Sequence, residues 1–117
     1  NPDGEVADDA ARFENLIASH LLKFVHFLAD QEGYKADLSY LRDVDKREVD
    51  FLVTIDGKPW FAVEVKLNDT NLSPHLLYFR DRLSIPFIYQ VVRKDSVDIL
   101  QKGGRVVSAG KFLAGLI

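Results

Sequence analysis

The sequence contains no cysteine and no methionine, a single tryptophan and no excess of positive charge. Without cysteine there are no disulfides, no thiolate nucleophile and no cysteine-ligated zinc. No apolar run approaches the roughly 18 residues needed to cross a bilayer. Asp3, Glu5, Asp8 and Asp9 crowd the first residues, which therefore do not read as a signal peptide. A net charge of −3 leaves the chain without the basic surface by which proteins grip phosphates. A nucleic-acid partner would then need a metal ion or a second domain to help hold it. No Walker A motif or glycine-rich phosphate loop occurs, so ATP hydrolysis by that route is excluded. Redox chemistry does not fix the compartment, and nothing in the sequence points outside the cytoplasm, which is the expected location. The missing methionine and the opening Asn1-Pro2-Asp3-Gly4 read as a fragment of a longer protein whose other part lies upstream.

What is present fits one α/β domain. The 117 residues are 47% hydrophobic and 28% charged, enough for a modest core and too apolar for wholesale disorder. The first ten residues read as a frayed lead-in, with Asp8 or Asp9 capping a helix to about Leu28. Its stripe is Phe13, Leu16, Ile17, Leu21, Phe24, Val25 and Leu28, and Gly33 stops it. Tyr34 to Leu41 alternates as a strand with Tyr34, Ala36, Leu38 and Tyr40 on its buried face. After the polar turn 42–47 come strands over 48–55 and 59–67. Ser73-Pro74 opens a helix that ends before Ser84. The run from Pro86 to Val92 is apolar enough to be covered on both faces of a sheet. Short strands near 97–100 and 105–107 and a helix over roughly 110–116 complete the chain.

The hairpin between the second and third strands carries the functional argument. Val49, Phe51, Val53 and Ile55 form one apolar set and Phe61, Val63, Val65 and Leu67 the other. The two sets must share a face, since a one-residue slip would expose one of them. A two-residue turn would pair Ile55 with Lys58 and mix the faces. A three-residue loop, Asp56 to Lys58, pairs Ile55 with Pro59 and Asp50 with Glu64, and Gly57 supplies the positive φ it wants. Asp50, Glu64 and Lys66 then share a face. Opposed carboxylates destabilise a sheet, and the simplest use for them is to hold a divalent cation. The plain alternative is a solvated strand face carrying a Glu–Lys pair.

An aspartate on one strand followed by Glu-x-Lys on the next resembles the PD-(D/E)XK nuclease superfamily. Here it reads Asp50 and Glu64-Val65-Lys66, with Val49 where the superfamily's name has proline. The landmarks Phe13-Glu14-Asn15, Tyr40-Leu41-Arg42-Asp43 and Arg47-Glu48-Val49-Asp50-Phe51 resemble the nuclease-like C-terminal domain found behind AAA-type ATPase modules of bacteria and archaea. The likeness runs from about residue 10 to the end. It implies a restriction-endonuclease-like αβββαβ core with a mixed sheet flanked by helices, and an upstream ATPase domain in the full-length chain. It also implies a Mg²⁺- or Mn²⁺-dependent nuclease acting on nucleic acid, DNA foremost.

In that reading Asp50 and Glu64 supply carboxylates to the metal, the Val65 backbone carbonyl a third oxygen, and Glu14 completes the site or holds a metal-bound water. Lys66 orients the attacking water or neutralises charge developing on the phosphorane. The alternative is a catalytically silent docking or regulatory module attached to the ATPase. Arg42 and Arg47 are expected to pair with Asp43, Asp45 or Glu48. Asp43-Val44-Asp45 begins like an EF-hand loop, but Arg47 and Glu48 stand where an acid and glycine are needed. His20, His26 and His75 have no ligand spacing.

Overall fold

The computed structural model describes residues 2–116. Helix α1 (Pro2–Glu32) is 31 residues long, about 46 Å at 1.5 Å per residue, and sets the long axis of a molecule 45 × 29 × 27 Å. It begins at Pro2 instead of Asp8, so the expected lead-in is helical, Asn1 alone lying outside the described residues at this end. The physical reason is local. Pro2 suits the first helical turn, and Glu5, Asp8 and Asp9 lie near the positive end of the helix dipole. Gly33, at φ +76°, ends α1, and the Tyr34 N–H turns back to the Leu28 carbonyl at 3.2 Å.

Strands β1 (Ala36–Arg42), β2 (Glu48–Ile55) and β3 (Lys58–Lys66) form an antiparallel meander. Helix α2 (Pro74–Leu83) carries the chain to β4 (Phe87–Val92), which runs parallel to β3. β5 (Asp98–Gln101) and β6 (Gly104–Ser108) make a hairpin, and helix α3 (Ala109–Ala114) follows. The order across the single six-stranded mixed sheet is β1-β2-β3-β4-β6-β5, with β6 parallel to β4. The fold is therefore α/β, a mixed sheet flanked by helices.

The core has two halves, one on each face. On the first, Phe13, Ile17, Leu21, Val25 and Leu28 of α1 pack with Val53, Phe61, Val63, Val91 and Val107 of the sheet and with Phe112 of α3. Leu16, expected in the stripe, lies at its margin and is 48% exposed. On the second face Leu76 and Phe79 of α2 meet Leu52, Ala62, Ile88, Val92 and Val106. β4 contributes to both halves, which is why its sequence is continuously apolar. β1 is covered less fully than its alternation promises. Ala36 is buried, but Tyr40 faces solvent.

Two bulges set the register. The β2–β3 turn is the two-residue one, Asp56-Gly57, with Ile55 opposite Lys58, and both turn residues have positive φ (51° and 79°). The three-residue loop expected from the sequence is thus corrected. Parity is restored inside the strand. Thr54 pairs with Pro59 but Val53 pairs with Phe61, so Trp60 is an extra residue on β3. A second bulge lies on β2, where Ser39 pairs with Leu52 and Leu41 with Val49, leaving Asp50 and Phe51 opposite Tyr40 alone. Val49 consequently packs with Leu52 on the α2 side, not with Phe51 and Val53 as simple alternation predicts.

Candidate functional site

The β2 bulge positions the acidic residues. Bulges bend a strand and re-aim a side chain, and here the residue re-aimed is Asp50. Pairing between β2 and β3 runs as far as Phe51 with Val63, and one further step sets Asp50 abreast of Glu64. In place of a backbone partner, the Asp50 carboxylate accepts the Val65 N–H at 2.8 Å. A strand residue presents its N–H and its C=O on the same edge. The Val65 carbonyl therefore faces the same gap.

Glu64 follows Ala62 on the α2 side of β3 and is only 7% exposed. Burial, and then the hydrogen bond and negative charge of Asp50, push its carboxyl up to about 9. The Lys66 ammonium and the Asp50 backbone N–H pull the other way without prevailing. Glu64 thus holds its proton well above the usual carboxyl range, as a buried carboxyl beside a negative charge does. Lys66 is half-buried at the end of β3 and forms no ion pair among the described residues. Glu14 stays on the exposed side of α1. Its pKa is raised by partial desolvation and then by Asp50.

The geometry brings Asp50, Glu64 and Lys66 together and sets Glu14 next to Asp50 alone. Among the described residues no group of three or more His, Asp or Glu side chains converges for an ion. Two carboxylates and a carbonyl nevertheless suit Mg²⁺, which keeps several waters and commonly takes one or two carboxylates with substrate phosphates. The donor set of Asp50, Glu64 and the Val65 carbonyl fits such an ion, and Glu14 lies beside Asp50 on the exposed side of α1.

Residues that sequence reasoning passed over fasten the segment following this site. Gln90 is fully buried and lies beside Glu64 in the β3–β4 register. Its carbonyl accepts the Ser73 N–H at 2.8 Å, and its amide donates to the Asp69 and Asn71 carbonyls at 2.9 and 2.8 Å. Gln101 similarly accepts the Leu72 N–H at 2.7 Å. The signal was a lone amide inside an apolar strand. Ser73 caps α2 by accepting the His75 N–H at 3.2 Å, as its position in the sequence implied.

The arginines behave as local pairing predicted. Arg42 pairs with Glu48 at 3.2 Å, and Arg47 pairs with Asp43 and Asp45 while lying 4.0 Å over the Tyr78 ring. Arg93 reaches Asp9 of α1 at 3.3 Å. His75 sits 3.3 Å from the Glu48 carbonyl and meets no metal-ligand cluster. No described helix is long and apolar enough to cross a membrane.

No curated protein matches this chain. A family described as "Domain of unknown function (DUF4143)" matches residues 10–112, which takes in α1 from its third turn, the whole sheet and the start of α3. Glu14, Asp50, Glu64 and Lys66 all fall inside that span, and the chain belongs to the DUF4143 family.

Proposed function

We propose that this chain is a metal-dependent phosphodiesterase of the PD-(D/E)XK type, acting on nucleic acid and on DNA foremost. The observation that carries the reading is the buried Glu64 carboxyl set against the half-buried Asp50 at the point where β2 and β3 part. A fold does not bury a carboxyl beside a second carboxyl for stability. The αβββαβ order over α1 to β4 and the Glu64-Val65-Lys66 run support the same reading. Asp50, Glu64 and the Val65 carbonyl would hold Mg²⁺ or Mn²⁺. When bound, the ion supplies Lewis-acid polarisation of the phosphodiester and a lowered pKa for the attacking water. The Val65 N–H holds one Asp50 oxygen, which would leave the second for the ion. Lys66, which forms no ion pair among the described residues, would offset negative charge as it builds on the phosphorus oxygens.

The test is plasmid nicking by the full-length protein with Mg²⁺ and Mn²⁺, comparing wild type with Lys66→Met. Methionine keeps most of the aliphatic stem and deletes the ammonium. Cleavage should fall by about 100-fold or more, the usual scale for losing a transition-state electrostatic contact, while folding stays within about 1 kcal/mol. Equal nicking by the two proteins, or no cleavage of DNA or RNA under either metal, would remove the reading.

A second reading, a docking or regulatory module for an upstream AAA-type ATPase, is favoured by two specific observations. An apolar groove of about 680 Å³ lies between α1 and α3, lined by Phe24, Phe27, Leu113 and Leu116, with Phe27 half exposed. Arg42 and Arg93, which would form a basic rim, are each engaged with a carboxylate. Loss of ATPase regulation in a Phe27→Asp variant whose nicking is unchanged would establish this role instead.

A further inference from the structure

A second pocket lies on the α1 side of the sheet, at the opposite end of β3. It follows from the bulge at Trp60. Because Trp60 is the extra residue, Trp60 and Phe61 both turn toward α1 instead of alternating. They join a file of rings: Phe24 to Trp60 at 5.8 Å, Trp60 to Phe61 at 5.0 Å, Phe61 to Tyr89 at 5.8 Å and Tyr89 to Phe112 at 5.4 Å. Phe87 also lines the pocket and is 53% exposed. The cavity measures about 320 Å³, near the lower end of the range for small-molecule sites of about 300–1,000 Å³. That is room for one ring system with a short substituent.

The pocket's other wall is cationic. Arg105 and Lys111 line it, and Asp98, which pairs with both, does not. Asp98 takes the Arg105 Nε and Nη2 donors at 2.7 and 2.8 Å. A guanidinium has five N–H donors and an ammonium three, so both cations keep donors beyond those Asp98 uses. One carboxylate against two cations leaves one positive charge at the wall.

We propose that this pocket binds a small planar aromatic anion, its ring among Trp60, Phe61, Phe87 and Tyr89 and its acidic group on Arg105 and Lys111. Stacking selects a flat ring with little regard to its identity, and the surplus charge selects an acid over a neutral analogue. A nucleoside monophosphate and an aromatic carboxylate share this chemistry. The site lies four residues along β3 from Glu64, about 13 Å at strand spacing, and on the other face of the sheet. It therefore stands independently of the phosphodiesterase reading.

Trp60 is the only tryptophan and lines this pocket, so intrinsic fluorescence reports on it. Variants of Lys111 and Phe87 separate it from the neighbouring cavity beside Tyr34 and Pro59, which Trp60 also lines. The protein is titrated with adenosine monophosphate and with phenylacetate, and with adenosine and phenylacetamide as neutral counterparts. At least one anion should quench Trp60 saturably and about tenfold more tightly than its neutral counterpart, the scale of one charge-assisted contact. The arm that responds identifies the source. Lys111→Met should remove that preference, and Phe87→Ala should weaken acid and neutral forms alike. Both side chains are exposed, so thermal melts should match wild type. Unsaturable quenching by both anions would overturn the proposal. So would neutral counterparts that bind as tightly as the acids, or affinity unchanged in both variants.

Discussion

Burial raises the Glu64 carboxyl far above its usual range, because a charge placed beside Asp50 and beneath α2 loses its water. The linkage has a definite sign. The folded protein binds the Glu64 proton more tightly than the unfolded chain does, so the associated stability is complete below the ordinary value of 4.5 and is lost as pH rises toward about 9. Glutamine reproduces the protonated form. Glu64→Gln should therefore stabilise the metal-free protein at pH 8 by at least about 1.4 kcal/mol, the equivalent of a tenfold difference in proton affinity, with little effect at pH 4. Urea denaturation across that range checks it, and parallel curves for the two proteins would show that Glu64 is not held protonated. The same variant should lose metal binding and cleavage together, since Glu64 is proposed as a ligand. A residue whose removal stabilises the fold while abolishing activity is kept for function.

Among the elements, the β2–β3 hairpin carries the site and the segment leading into α2 follows it, the first turning on Gly57 and the second held chiefly by Gln90. Gly57 sits at φ +79° with open space around its α-carbon, so an added methyl meets no neighbour and the cost is backbone strain alone. Gly57→Ala should cost about 1 kcal/mol in chemical denaturation. A loss above about 3 kcal/mol would mean that the turn, and not the bulge at Trp60, sets the register. Gln90→Leu keeps the volume but deprives the Ser73 N–H and the Asp69 and Asn71 carbonyls of their partner. With buried unsatisfied groups at about 1–3 kcal/mol each, the loss should be about 3 kcal/mol, accompanied by faster amide exchange over 69–73. An undisturbed exchange pattern would show that this segment is held by α2 instead. Element bounds were largely legible beforehand because Gly33, Asp56-Gly57 and Ser73-Pro74 punctuate the chain. The start of α1 was not, because an acidic, alanine-rich stretch serves equally as a lead-in or as a first helical turn.

For the whole molecule, the pairing of two carboxyls predicts that divalent cations act on global stability. Binding requires both carboxylates ionised, so affinity should rise with pH and binding should release a proton. At 100-fold above Kd the stabilisation is about 2.7 kcal/mol. A thermal melt in millimolar Mn²⁺ should therefore shift upward, and more at pH 8 than at pH 6. A melt unchanged at both pH values would count against a formed site. Much of this architecture is written in the chain. Alternation along β2 and β3 and the helical stripe of α1 dictate which residues must leave water, and the continuous apolar run of β4 dictates a strand covered twice. That demand fixes only the parity of the β2–β3 register, because a one-residue slip would expose an apolar set. How Asp50 and Glu64 come abreast was decided only in three dimensions. A two-residue turn and a bulge at Trp60 give the same parity as a three-residue loop. Asp56-Gly57 locally favours the two-residue turn, but the compensating bulge has no signature in the strand. The bulge at Asp50 moves Val49 to the other face, since β1 and α2 compete for it with β2's own alternation. Glu14 and Gln90 depend on contacts between elements far apart in the chain: Glu14 approaches Asp50 from α1, and Gln90 holds a distant loop. Such long-range placement follows from packing of whole faces, which periodicity in a single strand or helix does not encode.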